Sequence, residues 1–283
     1  MNARQAVLAW SRTALRDLPW RATRDPWAVL VSEVMLQQTQ VTRVIPAYRR
    51  FLASFPTAPA CAAVAQGAVV AAWQGLGYNR RARDLHRIAE AVVARHGGQV
   101  PSDLDALRSL PGVGPYTARA VLAFAFERDV AAIDVNAARV LARVEGRRLT
   151  RREIQGRGDR LVPPGDGWRW NQAILDLGAT VCVRGDPRCG TCPLVAWCRW
   201  RRDGGPDPAA GPAASPRRQS PFDGSDRQGR GRLLRALLTG PVGEAELAAA
   251  CGWPGSPARA ARVAEALVDD GLARRIPPGF ELA

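Results

Sequence analysis

Apolar residues recur at helical spacing along the first two hundred positions of the chain. In residues 41–55 (VTRVIPAYRRFLASF) the i, i+3, i+4, i+7 pattern places on one face Val41, Val44, Ile45, Tyr48, Phe51 and Leu52. AVVAAWQGLGY, ARDLHRIAEAVVARHGG and LDALRSLPGVG repeat this pattern, with glycine as the stop signal. Convincing strand patterns do not occur there. The first part, residues 1–202, is therefore predicted to be all-α.

The pattern changes after residue 202. Residues 203–226 are rich in Pro, Gly and Ala without periodicity, which predicts a linker. Beyond it, three short helices are predicted over 227–239, 243–250 and 256–269, followed by two short strands about a Pro-Gly turn in LARRIPPGFELA. This order predicts a small winged-helix-like module over residues 227–283. The alternative is a helical appendage that only covers the main domain.

Composition excludes several classes of protein. The chain has 283 residues, of which 47% are hydrophobic, so it can bury a sizeable core and global disorder is not expected. No apolar run reaches the ~18–20 residues of a membrane span. The N-terminus lacks the apolar core of a signal peptide, so a cytoplasmic, nucleoid-associated location is expected.

Charge points to a polyanionic partner. The net charge is +14, and nucleic acid is the commonest partner of such a protein, although membrane surfaces and RNA stay open on charge alone. All 40 basic residues are arginine, a bias that a GC-rich coding sequence explains. Because there is no lysine, a mechanism through a lysine Schiff base is excluded.

Four of the six cysteines form a C-x6-C-x2-C-x5-C array. Its members are Cys182, Cys189, Cys192 and Cys198. In a cytoplasmic protein a metal is more plausible than disulfides, and four thiolates suit an iron–sulfur cluster or zinc. The single C-x2-C and the uneven spacing favour a 4Fe–4S cluster, with zinc as the alternative.

A glycine-rich turn joins two predicted helices at Leu110-Pro-Gly-Val-Gly-Pro-Tyr116. Gly112, Val113 and Gly114 expose their backbone there, and Pro115 can occupy the first turn of the next helix. Amides at a helix N-terminus attract anions, so the turn fits a DNA phosphate. Farther on, Asp134 follows a short apolar stretch; taken alone, it is a helix cap.

Together these motifs resemble the helix-hairpin-helix DNA glycosylases, the superfamily of endonuclease III. The hairpin, the downstream Asp and the cysteine array occur in that family's order. SEVMLQQTQ (32–40) resembles the MutY adenine glycosylase branch most closely, and LPWR, GLGY, PGVGPYTA, DVN and NQAILDLGATVC also match. The resemblance covers about residues 10–200 and implies an all-α fold of two helical lobes, one holding a 4Fe–4S cluster. The short C-terminal module resembles actinobacterial-type members without the Nudix-like domain.

The resemblance implies catalytic roles for four residues. Glu33 matches the general acid that protonates adenine, and Asp134 matches the carboxylate that stabilises or attacks the sugar cation. Tyr116 stands where bifunctional relatives carry lysine, and Asn136 would orient the catalytic groups. The implied activity is monofunctional removal of adenine mispaired with 8-oxoguanine or G, by a monomer acting on double-stranded DNA without a lysine-dependent lyase step.

The resemblance also implies residues that contact DNA. Gln38 and Tyr78 would wedge into the base stack, and Thr39 would contact the opposing base. Arg21 and Leu36, with Trp20, would line the adenine pocket or approach the backbone.

The chain departs from the family pattern at three points. Asn79 follows Tyr78 where a second aromatic is common, Val135 stands where glycine is common, and the C-terminal segment is too short for a Nudix-like domain. Two alternatives stay open: a T:G mismatch thymine glycosylase on the same scaffold, and a non-catalytic DNA-binding protein with a redox-sensing cluster. An endonuclease III-like enzyme for oxidised pyrimidines ranks last because it needs a lysine.

Overall fold

The computed structural model describes residues 1–210 and 221–283 and confirms the mainly helical fold. The chain divides into two compact units. The first comprises Met1–Leu30, Ser102–Ser109 and Val113–Arg218; the second comprises Val31–Pro101, Leu110–Gly112 and Gln219–Ala283. Within the described ranges, no helix combines the length and the apolar character that a membrane crossing requires.

The first unit contains seven helices in its described part, besides the start of α2 (Pro26–Leu36). They are α1 (Ala3–Ala14), α7 (Leu104–Arg108), α8 (Pro115–Phe124), α9 (Val135–Glu145), α10 (Arg151–Leu161), α11 (Gly167–Asp176) and α12 (Arg199–Asp203), and a π-helical turn, Leu177–Val181, continues α11. Their core is built around Val7, Val140, Trp170, Ile174 and Leu177. This core places the N-terminus of α9 beside the π turn.

The second unit begins within α2 (Pro26–Leu36). It continues with α3 (Val41–Ser54), α4 (Ala58–Ala62), α5 (Gln66–Ala72) and α6 (Arg80–His96). The predicted helix over 41–55 is confirmed, and Val44, Tyr48 and Phe51 of its apolar face are buried. Phe51 packs edge-to-face on Phe55 and Trp73, with ring centroids 5.0 Å and 6.0 Å apart.

The C-terminal module has the element order expected of a winged helix. Its elements are α13 (Asp226–Leu237), β1 (Val242–Gly243), α14 (Leu247–Cys251), α15 (Pro257–Asp269), β2 (Ala273–Ile276) and β3 (Gly279–Leu282). The strands form an antiparallel sheet in the order β1-β3-β2. The helix predicted over 243–250 is wrong at its start, because residues 242–243 pair with β3 and a 3₁₀ turn follows. Two residues are too few to show a strand pattern.

The predicted linker, residues 203–226, lies partly outside the described residues, which leave out 211–220. Its beginning packs on the first unit. Asp207 pairs with Arg143 at 2.7 Å, and Ala209 is 3% exposed in a cluster with Leu141 and Ile154. Composition alone does not show this anchoring, because one aspartate and one alanine make it.

Candidate active site

Glu33 lies on the second-unit part of α2 and is 5% exposed. The helix starts at Pro26, where the Asp25 side chain accepts a hydrogen bond from the Ala28 amide at 2.7 Å. Apolar side chains on nearly every side of α2, including the fully buried Leu30, keep this stretch inside the core. Glu33 is therefore a buried carboxyl group on a helix whose other buried side chains are mainly apolar.

Asp134 is the N-cap of α9. Its Oδ1 accepts hydrogen bonds from the amides of Asn136 and Ala137 at 2.8 Å and 2.7 Å, and its Oδ2 accepts one from Asn136 Nδ2 at 2.7 Å. Burial raises the pKa of Asp134 above its ordinary value, against these hydrogen bonds and the nearby Arg139, which lower it. The capping interpretation is thus correct, and it does not compete with a catalytic one, since the cap fixes both carboxylate oxygens.

Asn136 connects Asp134 to an arginine on the same face of α9. Asn136 Oδ1 accepts from Arg139 Nη2 at 2.8 Å, while Arg139 Nε donates to the carbonyl of Cys182 at 2.8 Å. Arg139 Nη2 also donates to the carbonyl of Gly178 at 2.6 Å. A hydrogen-bonded path therefore runs from Asp134 to the first residue of the cysteine array.

Gly178 allows the π turn to approach this path. A Cβ atom there would lie 2.7 Å from the Asn136 carbonyl oxygen and 2.8 Å from Asn136 Cβ. Only a residue without a side chain fits at this distance. The NQAILDLGATVC motif thus contributes backbone that supports Asn136.

Arg143 lies one turn farther along α9, against the cysteine array. Its Nη1 donates to Cys182 Sγ at 3.3 Å, its Nη2 pairs with Asp207 at 2.7 Å, and its guanidinium carbon lies 4.6 Å from the Trp200 ring centroid. Burial alone would lower the pKa of Arg143, but the hydrogen bonds to Asp207 and Cys182 raise it above the ordinary arginine value. A permanent cation therefore faces the thiols.

The four cysteines of the array line one cavity. Across the described residues, no three side chains of His, Cys, Asp or Glu meet closely enough to share a single metal ion. Burial and the neighbouring cysteines together raise the pKa of Cys192 to about 11, against the Leu194 amide, which lowers it. A positively charged metal group would offset the cost of gathering four thiolates.

The two predicted wedge residues share an unusual backbone conformation. Gln38 is exposed with φ 57°, and Tyr78 is 40% exposed with φ 50°. Left-handed backbone is uncommon for side chains of this size and marks positions that their surroundings hold in place. Thr39 and Leu36, next to Gln38, are half-buried.

Arg81, which sequence reasoning missed, holds both of these loops. Its Nη1 donates to the carbonyls of Met35 and Gln37 at 2.9 Å and 2.5 Å, and its Nη2 donates to Thr39 Oγ1 and the Gly77 carbonyl, each at 3.0 Å. Its guanidinium carbon lies 5.2 Å from the Tyr78 ring centroid. Burial lowers the pKa of Arg81 to about 10. In a chain with 40 arginines, no sequence signal singles this one out.

Arg21 is internal rather than at the surface. Its side chain is 8% exposed and forms a two-point pair with Asp176 at 2.7 Å and 2.8 Å. Arg16 Nε also donates to Asp176 at 2.7 Å, and Trp20 is 7% exposed. This pairing links the LPWR segment to α11.

The hairpin forms as expected. Gly112 has φ 72°, which favours glycine, and Gly114 precedes α8, whose first residue is Pro115. Val113 is buried at 6% exposure, and Tyr116 is half-buried in the first turn of α8. Tyr116, Asp134 and Asn136 belong to the first unit, whereas Glu33 belongs to the second.

Comparison with known proteins agrees with these features. Residues 31–164 match the HhH-GPD superfamily of base excision DNA repair proteins. A protein of Mycobacterium tuberculosis named adenine DNA glycosylase is 41% identical over 291 residues, covering 96% of this chain and 90% of its own length. One of the same name from Mycolicibacterium smegmatis is 42% identical over 285 residues, covering 98% and 94%.

A solved structure shares the fold of part of the chain. The structure of a thermostable thymine-DNA glycosylase superposes with a TM-score of 0.68 at 30% identity, covering 71% of this chain and 95% of its own. The mycobacterial proteins therefore match the chain nearly end to end, whereas this structure matches less of it.

Proposed function

This chain belongs to the MutY-type branch of the HhH-GPD superfamily, and we propose that it hydrolyses the N-glycosidic bond of adenine mispaired with 8-oxoguanine or G in double-stranded DNA. The observation that carries the proposal is that two carboxyl groups are each fixed within their own unit: Glu33 is buried on α2, and Asp134 is held at both oxygens by the start of α9. The near full-length likeness to mycobacterial adenine DNA glycosylases supports the choice of base.

The two carboxyl groups have different tasks in this reaction. Glu33 donates a proton to the adenine as it leaves, at N7, from its buried position on α2. Asp134 faces the positive charge that develops on the sugar. Because burial makes its anion costly, the arriving cation stabilises the carboxylate strongly, and Asn136 keeps one oxygen aligned.

Other residues bind and open the duplex. Gln38 and Tyr78 enter the base stack when adenine leaves it, and Thr39 contacts the opposing base.

Tyr116 stabilises the transition state from the first turn of α8. Gly112, Val113 and Gly114 present the hairpin backbone to a phosphate. Leu36 lines the adenine pocket. With no lysine in the chain, the product is an intact abasic site.

We propose that the cysteine array binds a 4Fe–4S cluster, with the four thiols that line one cavity, those of Cys182, Cys189, Cys192 and Cys198, as its ligands. When bound, the cluster holds the four thiolates and shapes the loop between them, where VRGDPR carries arginines toward phosphates. The +14 net charge supports a DNA partner and a location with the chromosome in the cytoplasm. We propose that the protein acts as a monomer.

Loss of one ligand is expected to release the cluster. Cys192→Ser should lose most of its bound iron and sulfide, because serine is a poor ligand for iron in place of thiolate. Iron and acid-labile sulfide per chain are the measurements. Cys61→Ala is the control, since Cys61 is buried but does not line the cavity. Equal iron in the Cys192→Ser variant and the parent chain would contradict the ligand assignment.

The proposed function is tested by single-turnover base release from four duplexes. These contain A opposite 8-oxoguanine, A opposite G, T opposite G, and A opposite T. We expect release of mispaired adenine only, fastest opposite 8-oxoguanine. Thymine release would favour the T:G alternative, which the 30% identity to a thymine-DNA glycosylase supports. DNA binding without any release would favour the non-catalytic cluster protein.

A further inference from the structure

The C-terminal module contacts the second-unit helices through a buried aspartate. Asp270 directly follows α15 and is 4% exposed. Its carboxylate pairs with Arg80 in the first turn of α6 and with Arg230 of α13. Its backbone carbonyl accepts a hydrogen bond from Arg83. One residue therefore links the module's own helices to the start of α6.

A second contact joins the module to α5. Gln66 Nε2 donates to the Gly271 carbonyl at 2.7 Å. A Cβ atom on Gly67 would lie 2.6 Å from Leu282 Cδ2, so the terminal strand packs closely on the α5 backbone. Polar and apolar contacts together fix the module against α5 and α6.

The first turn of α6 lacks the features that usually stabilise a helix start. It carries Arg80, Arg81 and Arg83 and no acidic residue, and the Asn79 side chain makes no capping hydrogen bond. Positive side chains at a helix N-terminus oppose the helix dipole. Asp84, just after this turn, pairs with Arg83, and Asp270 supplies the negative charge that pairs with Arg80. Burial would raise the pKa of Asp270, but Arg80 and Arg230 lower it below the ordinary value, so it stays ionised.

The net charge of the C-terminal module does not favour binding to DNA phosphates. Residues 221–283 hold eight arginines and eight acidic residues, so the whole excess of positive charge lies in the rest of the chain. Several of these arginines are paired within the module, as in Arg259–Asp226, Arg274–Glu281 and Arg275–Glu244. Phosphate binding rests on available positive charge, so a role toward the protein is favoured over one toward DNA.

We propose that the C-terminal module braces the DNA wedge, with Asp270 as a positioning residue whose carboxylate acts through Arg80. Tyr78 lies two residues before α6, and Arg81, which holds both wedge loops, lies in the same turn. Contacts from the C-terminal module that hold the first turn of α6 therefore also hold the orientation of Tyr78. The inference rests on the proposed function, because it assigns the module to the base-flipping step.

The test compares Asp270→Asn with Asp269→Asn in the full-length protein. Asp269 is the exposed neighbour and serves as the matched control. The substrate is an A:8-oxoguanine duplex with 2-aminopurine beside the target adenine, whose fluorescence rises when stacking is disrupted. At saturating protein, Asp270→Asn should slow base release about tenfold and reduce the fluorescence rise, with unchanged Kd. Asp269→Asn should match the parent chain in every measurement.

Arg80→Ala provides a second variant should Asp270→Asn fail to fold, because the Arg80 side chain is 65% exposed. It should show the same loss at saturation, and the double variant should lose no more than either single one. Parent-like rates in both single variants would overturn the brace and leave the proposed function intact. A loss in Arg80→Ala confined to Kd, with a weaker salt dependence, would indicate a phosphate contact and overturn it too. No adenine release by the parent chain would overturn the proposed function itself.

Discussion

Asp134→Asn is expected to lower the rate of adenine release about 10³-fold while DNA affinity stays unchanged. Asparagine keeps the shape of the side chain but removes the negative charge that faces the developing sugar cation. Asparagine caps helices as well as aspartate does, so α9 and its hydrogen bonds to the amides of Asn136 and Ala137 should persist. Single-turnover base release and equilibrium binding to A:8-oxoguanine DNA are the measurements.

Asp103→Asn is the matched control for this variant. Asp103 caps α7 in the same manner, accepting hydrogen bonds from the amides of Asp105 and Ala106 at 3.0 Å and 2.9 Å. Any effect of changing a capping carboxylate to an amide appears in both variants. A comparable loss of base release in Asp103→Asn, or full activity in Asp134→Asn, would refute the catalytic role of Asp134.

The acid side of the pH–rate profile provides a further test of the role of Asp134. The reaction needs Asp134 ionised, and burial raises its pKa above the ordinary value. Base release should therefore begin to fall on acidification at a pH above the ordinary aspartate pKa. This limb should be missing from the residual activity of Asp134→Asn.

The second large effect is expected in stability. Asp176→Asn should lower the free energy of unfolding by about 3 kcal/mol, because Arg21 and Arg16 would lose the charge that compensates them in a buried site. Asp176 is fully buried, and Arg21 is 8% exposed. Denaturant unfolding at neutral pH measures the change. The control is Glu127→Gln, whose pair with Arg24 is exposed and should contribute at most ~1 kcal/mol.

The sign of the pH dependence distinguishes this pair from a packing effect. Burial alone would raise the pKa of Asp176, but the hydrogen bonds from Arg21 and Arg16 lower it below its ordinary value. A depressed carboxyl pKa stabilises the fold above the pKa of the unfolded chain, and that stability is lost as pH falls through the folded pKa. The parent chain and Asp176→Asn should therefore converge in stability at acid pH. A constant gap across that range would show that the pair contributes no charge-dependent stability.

The helical architecture was predictable because apolar spacing records which face of each helix is buried. The apolar face of α3 and the first residue of α8 lie as the sequence predicts, since both depend on local signals: the i, i+3, i+4, i+7 spacing and Pro115. The start of α14 was not predictable, because the pairing of Val242 with Phe280 joins residues far apart in the chain.

Prediction of the candidate site from the sequence is limited in the same way, by contacts between residues far apart in the chain. Asp134 stands out because it follows a buried segment at a motif position. Arg81 and Arg143 do not, since a buried arginine and a solvated one look alike in a sequence that uses arginine for every positive charge. Which arginine is internal depends on distant carbonyls and carboxylates, such as those of Gln37 and Asp207.

The guanidinium of Arg81 couples the loop after α2 to the loop before α6, so that the two loops move together. Its hydrogen bonds reach Thr39 in one loop and Gly77 in the other. Segment exchange between related enzymes must therefore treat the two loops as one cassette. A chimera that takes GLGY from a relative but keeps its own QQT would place mismatched hydrogen-bond partners around Arg81. This holds even though the two segments lie almost forty positions apart in the sequence.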